Sequence, residues 1–312
     1  FACAVAVTWK TTWEMTPEQA GFGEYANGTV HETCLGLRGW IRRAAHVIRE
    51  YATTLRIREF RKHLVIFLLV QTSSDVFGQT FLFFVLYDWN KTAAFASLLL
   101  GCTVVSLPLM PLFGKAVVKF GVRRLYAFAF AGMLLGVAWL ALAWVLTGAL
   151  PSAVWMVLAV AASLWFFVFK ALVGYLPWTV LVFMPDIDQI VTRRYRSATF
   201  SSVQSSLRQL GSGIVTIGVG LVLAMVGFDS SLPRQSREAS IGIAAVMLGF
   251  YTVAMIVCWI VSSRLAINQR TDFDVLHEVD RLRAGGDKAE VDASVRRTVE
   301  RLTGLSYEEC WK

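Results

Sequence analysis

Between residues 64 and 263 the chain alternates long apolar stretches with short polar ones, and the apolar runs fall at about Leu64–Leu86, Ala93–Phe113, Leu125–Leu146, Ala153–Phe183, Phe200–Val226 and Ile241–Ser263. Each run can cross a hydrocarbon core of about 30 Å as a helix rising about 1.5 Å per residue. The runs are too long and too continuous for barrel strands, whose side chains alternate between lipid and lumen. The pattern predicts an all-α polytopic membrane protein built as a bundle of six transmembrane helices. Residues 1–9, FACAVAVTW, lack a basic leader and a small-residue cleavage site, and are expected to be the end of a preceding transmembrane helix. Residues 10–63 read as a polar connector, 64–263 as the bundle and 264–312 as a polar tail. The tail breaks at Gly285-Gly286 into two amphipathic stretches, one carrying Val275, Leu276, Val279 and Leu282, the other Val291, Val295, Val299 and Leu302.

Charge gives the bundle a direction. From Leu37 to Lys62 eight Lys or Arg stand against two Glu, interleaved with Trp40, Ile41, Ile48 and Tyr51, which suggests a basic amphipathic helix at a membrane surface or a solvated connector. The second connection holds Lys115, Lys119, Arg123 and Arg124, and the fourth holds Arg193, Arg194 and Arg196. The first, third and fifth hold only Lys91, no basic residue, and Arg234 with Arg237. Positive residues collect on the cytoplasmic side, so the connector, the even connections and the tail from Arg264 onward are expected there. A net charge of +8 is thus a topology signal, and no nucleic-acid partner is expected. The composition agrees: 56% of residues are hydrophobic, only 17% are charged, and mean hydropathy is +0.55, which excludes an ordinary soluble domain. The five cysteines, Cys3, Cys34, Cys102, Cys258 and Cys310, form no CxxC pair, and no metal or redox site is expected.

Polar residues inside the runs are the candidate chemistry, because a charged side chain at bilayer depth costs about 2.5–3.5 kcal/mol on insertion scales. Gln71, Asp75 and Gln79 recur every four residues and form one polar stripe, suited to recognising hydroxyls or handling an ion; the alternative is a structural interhelical hydrogen bond. Lys170 lies well inside the fourth run after Phe166, Phe167 and Phe169, too deep to snorkel easily, and invites pairing with Asp75 or another carboxylate. The fifth run carries Ser201, Gln204, Ser205, Arg208, Gly211 and Ser212 on one face. Arg208 offers a planar fork of donors, unless it is only a flanking positive charge. Gly132 and Gly136 form a GxxxG match that suggests close helix packing, and Pro108, Pro111 and Pro177 can kink their spans. No HExxH, GxSxG, Walker loop or paired-cysteine site occurs, and His31, His46, His63 and His277 all fall outside the predicted runs, so no catalytic residue is expected.

The second connection, Gly114-Lys-Ala-Val-Val118-Lys119-Phe120-Gly121-Val122-Arg123-Arg124, resembles the Gly-xxx-Asp-Arg-x-Gly-x-Arg-Arg loop of the major facilitator superfamily. Val118 stands at the position of that loop's Asp, so its charge clasp has no counterpart here. Asp186-Ile187-Asp188, then Ser202-Val203-Gln204 and Arg208, with the tail from Arg281 to Trp311, resemble the glycoside-pentoside-hexuronide:cation symporters, the melibiose-carrier-like branch. The resemblance spans Leu37 to Trp311 and implies one half of a major facilitator fold, the C-terminal six helices, partnered by a missing N-terminal six-helix half. It implies a secondary active transporter that moves a sugar, glycoside or similar polar solute by alternating access. It also implies Na⁺ or H⁺ coupling, with the ion site mainly in the other half and no further cofactor. The substrate or ion pathway is then expected along Gln71, Asp75, Gln79, Lys170, Gln204, Ser205 and Arg208. Gating loops are expected at Gly114, Lys119, Gly121, Arg123 and Arg124 and at Asp186 and Asp188. The expected location is the plasma membrane, a bacterial inner membrane by the resemblance. The alternatives are a lipid or lysolipid carrier of the same fold and, further off, a membrane-embedded enzyme.

Overall fold

The computed structural model describes residues 37–229, 231–232 and 234–311. The stretch at residues 1–9 and the first part of the connector lie outside the described residues. The chain divides into two compact units, Phe1–Glu50 and Tyr51–Lys312. The described part of the first unit belongs to the helix Leu37–Thr54, along which Ile41 and Ile48 are exposed.

The second unit is helical throughout, and no strand occurs among the described residues. Six helices are long and apolar enough to cross a membrane: Arg58–Asp88, Ala93–Phe120, Val122–Val145, Ser152–Thr192, Ser197–Met225 and Arg237–Ser262, referred to below as the first to sixth spans. Several run past the apolar stretches, because a helix continues into polar sequence for as long as its backbone and neighbours allow. Arg58, Glu59 and Lys62 add a turn and a half to the start of the first span. Glu59 is fully buried there and accepts from the Ala266 amide at 3.0 Å and from Lys62 at 2.5 Å, while Lys62 also donates to the Arg264 carbonyl at 2.7 Å. The beginning of the first span is thereby tied to the end of the sixth.

Interruptions fall where the sequence removes a ladder hydrogen bond. The second span tightens to a 3₁₀ stretch over Cys102–Leu109, which contains Pro108, and resumes as an α-helix at Met110 with Pro111 in its first turn, where no amide is required. The fourth span breaks at Val182–Phe183 and restarts as Met184–Thr192, again with a proline in the first turn. The first and sixth spans each carry one π turn, Phe84–Asp88 and Ala245–Gly249. Near these turns Ser240 donates to the buried Asp88 and joins the two spans.

The first span is central. Phe77 stacks on Phe81 and on Phe166 of the fourth span at 4.7 and 4.6 Å, with Phe167 and Tyr251 edge-on. The second and fifth spans are only 17% and 11% buried over their apolar windows, against 44–50% for the other four. Two helices of the bundle thus present most of their surface outward.

The third and fourth spans meet through the predicted glycine pair. Trp165 Nε1 donates to the Gly132 carbonyl at 2.8 Å, and a Cβ on Gly132 would fall 2.0 Å from the Phe169 ring. A Cβ on Gly136 would lie 3.2 Å from the Phe166 backbone. Gly132→Val is therefore expected to destabilise the bundle by about 1–3 kcal/mol through overpacking. Gly220→Val, where nothing lies within 4 Å of the added carbon, is expected to change stability little. Thermal unfolding in detergent compares the two.

The tail folds back on the bundle. Its first helix, Gln269–Arg283, opens with a capping box between Asn268 and Thr271, and its second, Ala293–Thr303, is capped by Asp292. Val275, Val279, Leu282, Val299 and Leu302 are buried, as the amphipathic pattern predicts. Arg281 grips Glu278 with two bonds of 2.8 and 2.9 Å, and the Tyr307 hydroxyl donates to the same carboxylate. At the chain's far end Trp311 donates to the Ile190 carbonyl at 2.8 Å, and Arg193 donates to the Trp311 carbonyl at 2.8 Å.

Candidate functional site

The polar stripes of the first and fifth spans face each other. Arg208 Nη2 donates to Asp75 Oδ1 at 3.4 Å, and one turn further along Gln79 Nε2 donates to Thr216 Oγ1 at 3.2 Å. In the other direction His63 Nε2 and Gln204 Oε1 lie 2.7 Å apart, both residues buried. Gln71, Asp75 and Gln79 share one helical face at four-residue steps, while His63, two turns before Gln71, is buried on the side that meets Gln204. The sequence reading placed His63 outside the spans; it lies inside the first helix, because that helix begins at Arg58, before the apolar run.

The Asp75–Arg208 pair differs from the Asp188–Arg196 pair of the same bundle. Asp188 and Arg196 form a two-bond clasp at 2.7 and 2.7 Å, with side chains 1% and 12% exposed. Asp75 and Arg208 make one bond at 3.4 Å, with side chains 18% and 33% exposed, and Asp75 Oδ2 is buried without a hydrogen-bond partner. Charge-assisted bonds that serve only to hold structure settle near 2.7–2.9 Å and use both carboxylate oxygens where they can. Here an acceptor oxygen and several guanidinium donors are left with capacity for another polar group.

The remaining pathway residues are placed around this pair. Lys170 feels the charge of Asp75, yet makes no ion pair within 4.0 Å among the described residues; its ammonium lies 5.8 Å from the centre of the Phe77 ring. Ser205 is exposed and Gln71 half-buried on the same faces, and Gln204 Nε2 and His63 Nδ1 are buried without partners. The helices position these groups by simple periodicity, so that apolar neighbours such as Phe67, Phe77 and Val203 enter the core while the polar set stays on one side.

Of the loop residues, Gly121 turns the chain between the second and third spans at φ +77°, a left-handed conformation that favours glycine. Gly114 allows close approach, since a Cβ there would lie 3.2 Å from the Tyr175 hydroxyl. Lys119 lies over the Phe120 ring at 5.4 Å, and Val118 is exposed. Asp188 is the buried clasp described above; Arg196 also donates to Thr53 Oγ1 at 2.9 Å.

Asp186 sits instead beside Asp272 of the first tail helix. Burial, and then the Asp186 carboxylate, push Asp272 up to about 7, and its Oδ1 is buried without a hydrogen-bond partner. A carboxyl raised in the folded state contributes stability that is complete below the ordinary value of 3.8 and is lost as pH rises through about 7. Limited proteolysis of the tail is accordingly expected to be faster at pH 8 than at pH 5.5. Asp272→Asn is expected to remove that difference and to protect the tail at pH 8.

The sequence matches the MFS/sugar transport protein family over residues 39–269, most of the chain and all six spans. No curated protein matches it.

Proposed function

The chain belongs to the MFS/sugar transport protein family and is a multi-pass membrane transporter, and from that premise we propose that it forms one six-helix half of a secondary active transporter, carrying a sugar or similar polar solute in symport with Na⁺ or H⁺. The observation that carries this reading is the Asp75–Arg208 pair: a carboxylate and a guanidinium inside two spans, loosely joined, with hydrogen-bonding capacity unused. A sugar offers hydroxyls that both donate and accept, so one solute can bond to Arg208 and, once the buried second oxygen is uncovered, to Asp75 together. Gln71, Gln79, Lys170, Gln204 and Ser205 extend the same polar face and supply further donors and acceptors.

Two outward spans support the half-transporter reading. The second and fifth helices bury little against their own bundle, and the fifth bears Ser205 and Arg208, polar groups that are costly against lipid. A second six-helix half packed there would bury those groups and enclose a midplane site between the halves, the arrangement that alternating access needs. The connector and the tail then lie in the cytoplasm by the charge bias, with the coupling-ion ligands mainly in the other half.

Uptake of labelled sugars into vesicles carrying the complete transporter tests the proposal. Accumulation that depends on an imposed Na⁺ or proton gradient is expected; sugar movement indifferent to both gradients rejects the symport reading.

A further inference from the structure

A cavity of about 430 Å³ opens at the ends of the third and sixth spans and the beginning of the tail, and it shares no residue with the polar stripes. Arg123, Arg124, Arg264 and Arg301 line it, with Ser263 and Asn268 between them, and its wall contains no Asp or Glu. None of the four arginines has a carboxylate within 4.0 Å among the described residues. Arg196 and Arg281, by contrast, are each gripped by a carboxylate at 2.7 and 2.8 Å. Four guanidinium groups gathered round one hollow repel each other unless something negative sits among them.

The backbone adds to the same field. The 24-residue helix Val122–Val145 starts at the cavity wall with no side-chain cap and no acid in its first turn. Its first amides have no intrahelical acceptor, and its positive end is opposed by two further cations, Arg123 and Arg124. An anion in the cavity attracts each of these positive groups and offsets their mutual repulsion.

We propose that this cavity binds a phosphate-bearing anion, held by Arg123, Arg124, Arg264 and Arg301. A phosphate group matches the planar donor fork of arginine, and the volume suits a headgroup or a small phosphorylated molecule. The cavity lies where spans leave the hydrocarbon core, so the phosphate of an anionic phospholipid and that of a soluble molecule can both reach it. The site is independent of the transport reading, because it requires only the bundle and its tail.

The purified full chain in nonionic detergent is titrated with phosphatidylglycerol, with phosphatidylcholine and with inorganic phosphate, following the melting temperature and the adducts retained in native mass spectrometry. Phosphatidylglycerol is expected to bind and stabilise, with phosphatidylcholine much weaker. Removing two cations in the double variant Arg264→Gln/Arg301→Gln is expected to weaken it by roughly 10- to 30-fold. Both side chains are exposed, so the melting temperature without lipid is expected to stay near that of the parent and shows directly whether the variant folds. The double variant Arg264→Lys/Arg301→Lys is expected to keep part of the affinity, as charge is retained and the fork is lost. Stabilisation by inorganic phosphate alone, with the same sensitivity to the substitutions, supports the site with a soluble phosphate as its source. Equal binding of phosphatidylcholine and phosphatidylglycerol, affinity unchanged in the Gln variant, or no stabilisation by any of the three overturns it.

Discussion

Arg208→Ala is expected to abolish solute uptake while the protein still inserts and folds. The substitution removes the donor fork and the one cation within 4.0 Å of Asp75 among the described residues. An uncompensated charge at bilayer depth costs about 2.5–3.5 kcal/mol, so some loss of stability accompanies the loss of function. The two effects are separated by neutralising both partners. Asp75→Asn/Arg208→Gln keeps the shapes, removes both charges and is expected to recover most of the thermal stability, because similar-sized neutral partners replace a desolvated pair. Uptake by the double variant is nevertheless expected to stay near background, since the solute has lost both charged anchors. Thermal unfolding and uptake measured on the same three proteins check this; uptake recovering together with stability would return the pair to a purely structural role.

The largest effect on stability is expected at the other clasp. Asp188 is 1% exposed, holds Arg196 by two bonds of 2.7 Å, and accepts a third from Thr192 at 3.2 Å. Asp188→Ala removes both of these bonds from the Arg196 guanidinium, and breaking such a buried pair costs about 3–5 kcal/mol. A large fall in melting temperature is expected, with Asp188→Asn milder because one acceptor survives. The contrast with Asp75 is the point: one pair is tight and enclosed, the other is longer and partly exposed, and the proposed function assigns the second to a ligand. Denaturation curves of the two Asp188 variants, set against the Asp75 series, measure that difference.

Much of this architecture is legible in the sequence because lipid imposes a crude rule. A helix that must cross about 30 Å of hydrocarbon announces itself as an apolar run, and the six runs correspond to the six spans. The glycine pair at Gly132 and Gly136 and the apolar faces of the tail are legible for the same reason, since their spacing follows the helix period. Helix ends are not, because hydropathy falls before the backbone changes. The first helix therefore begins six residues before the predicted run, and His63, read as outside the spans, turns out to be inside one and bonded to Gln204.

Partner choice is the second thing that spacing cannot give. The sequence offers Lys170 as a partner for Asp75. Only the packing of the first span against the fifth brings Arg208 to hydrogen-bonding distance and leaves Lys170 over Phe77. Asp186 and Asp188 are two residues apart and read as one loop motif, yet on a helix they point to different neighbours. One meets Arg196 and the other meets Asp272 of the tail.

The claim that the stripes of the first and fifth spans form a solute path is tested most directly at Ser205, an exposed position one turn from Arg208. Ser205→Cys, with Cys3, Cys34 and Cys102 replaced by Ser and the buried Cys258 and Cys310 retained, is placed in the complete transporter and exposed to a membrane-impermeant thiol reagent, with and without a transported sugar. The account predicts labelling from the aqueous phase that slows several-fold when sugar is present. Labelling that is absent, or that proceeds at the same rate with saturating sugar, would contradict it.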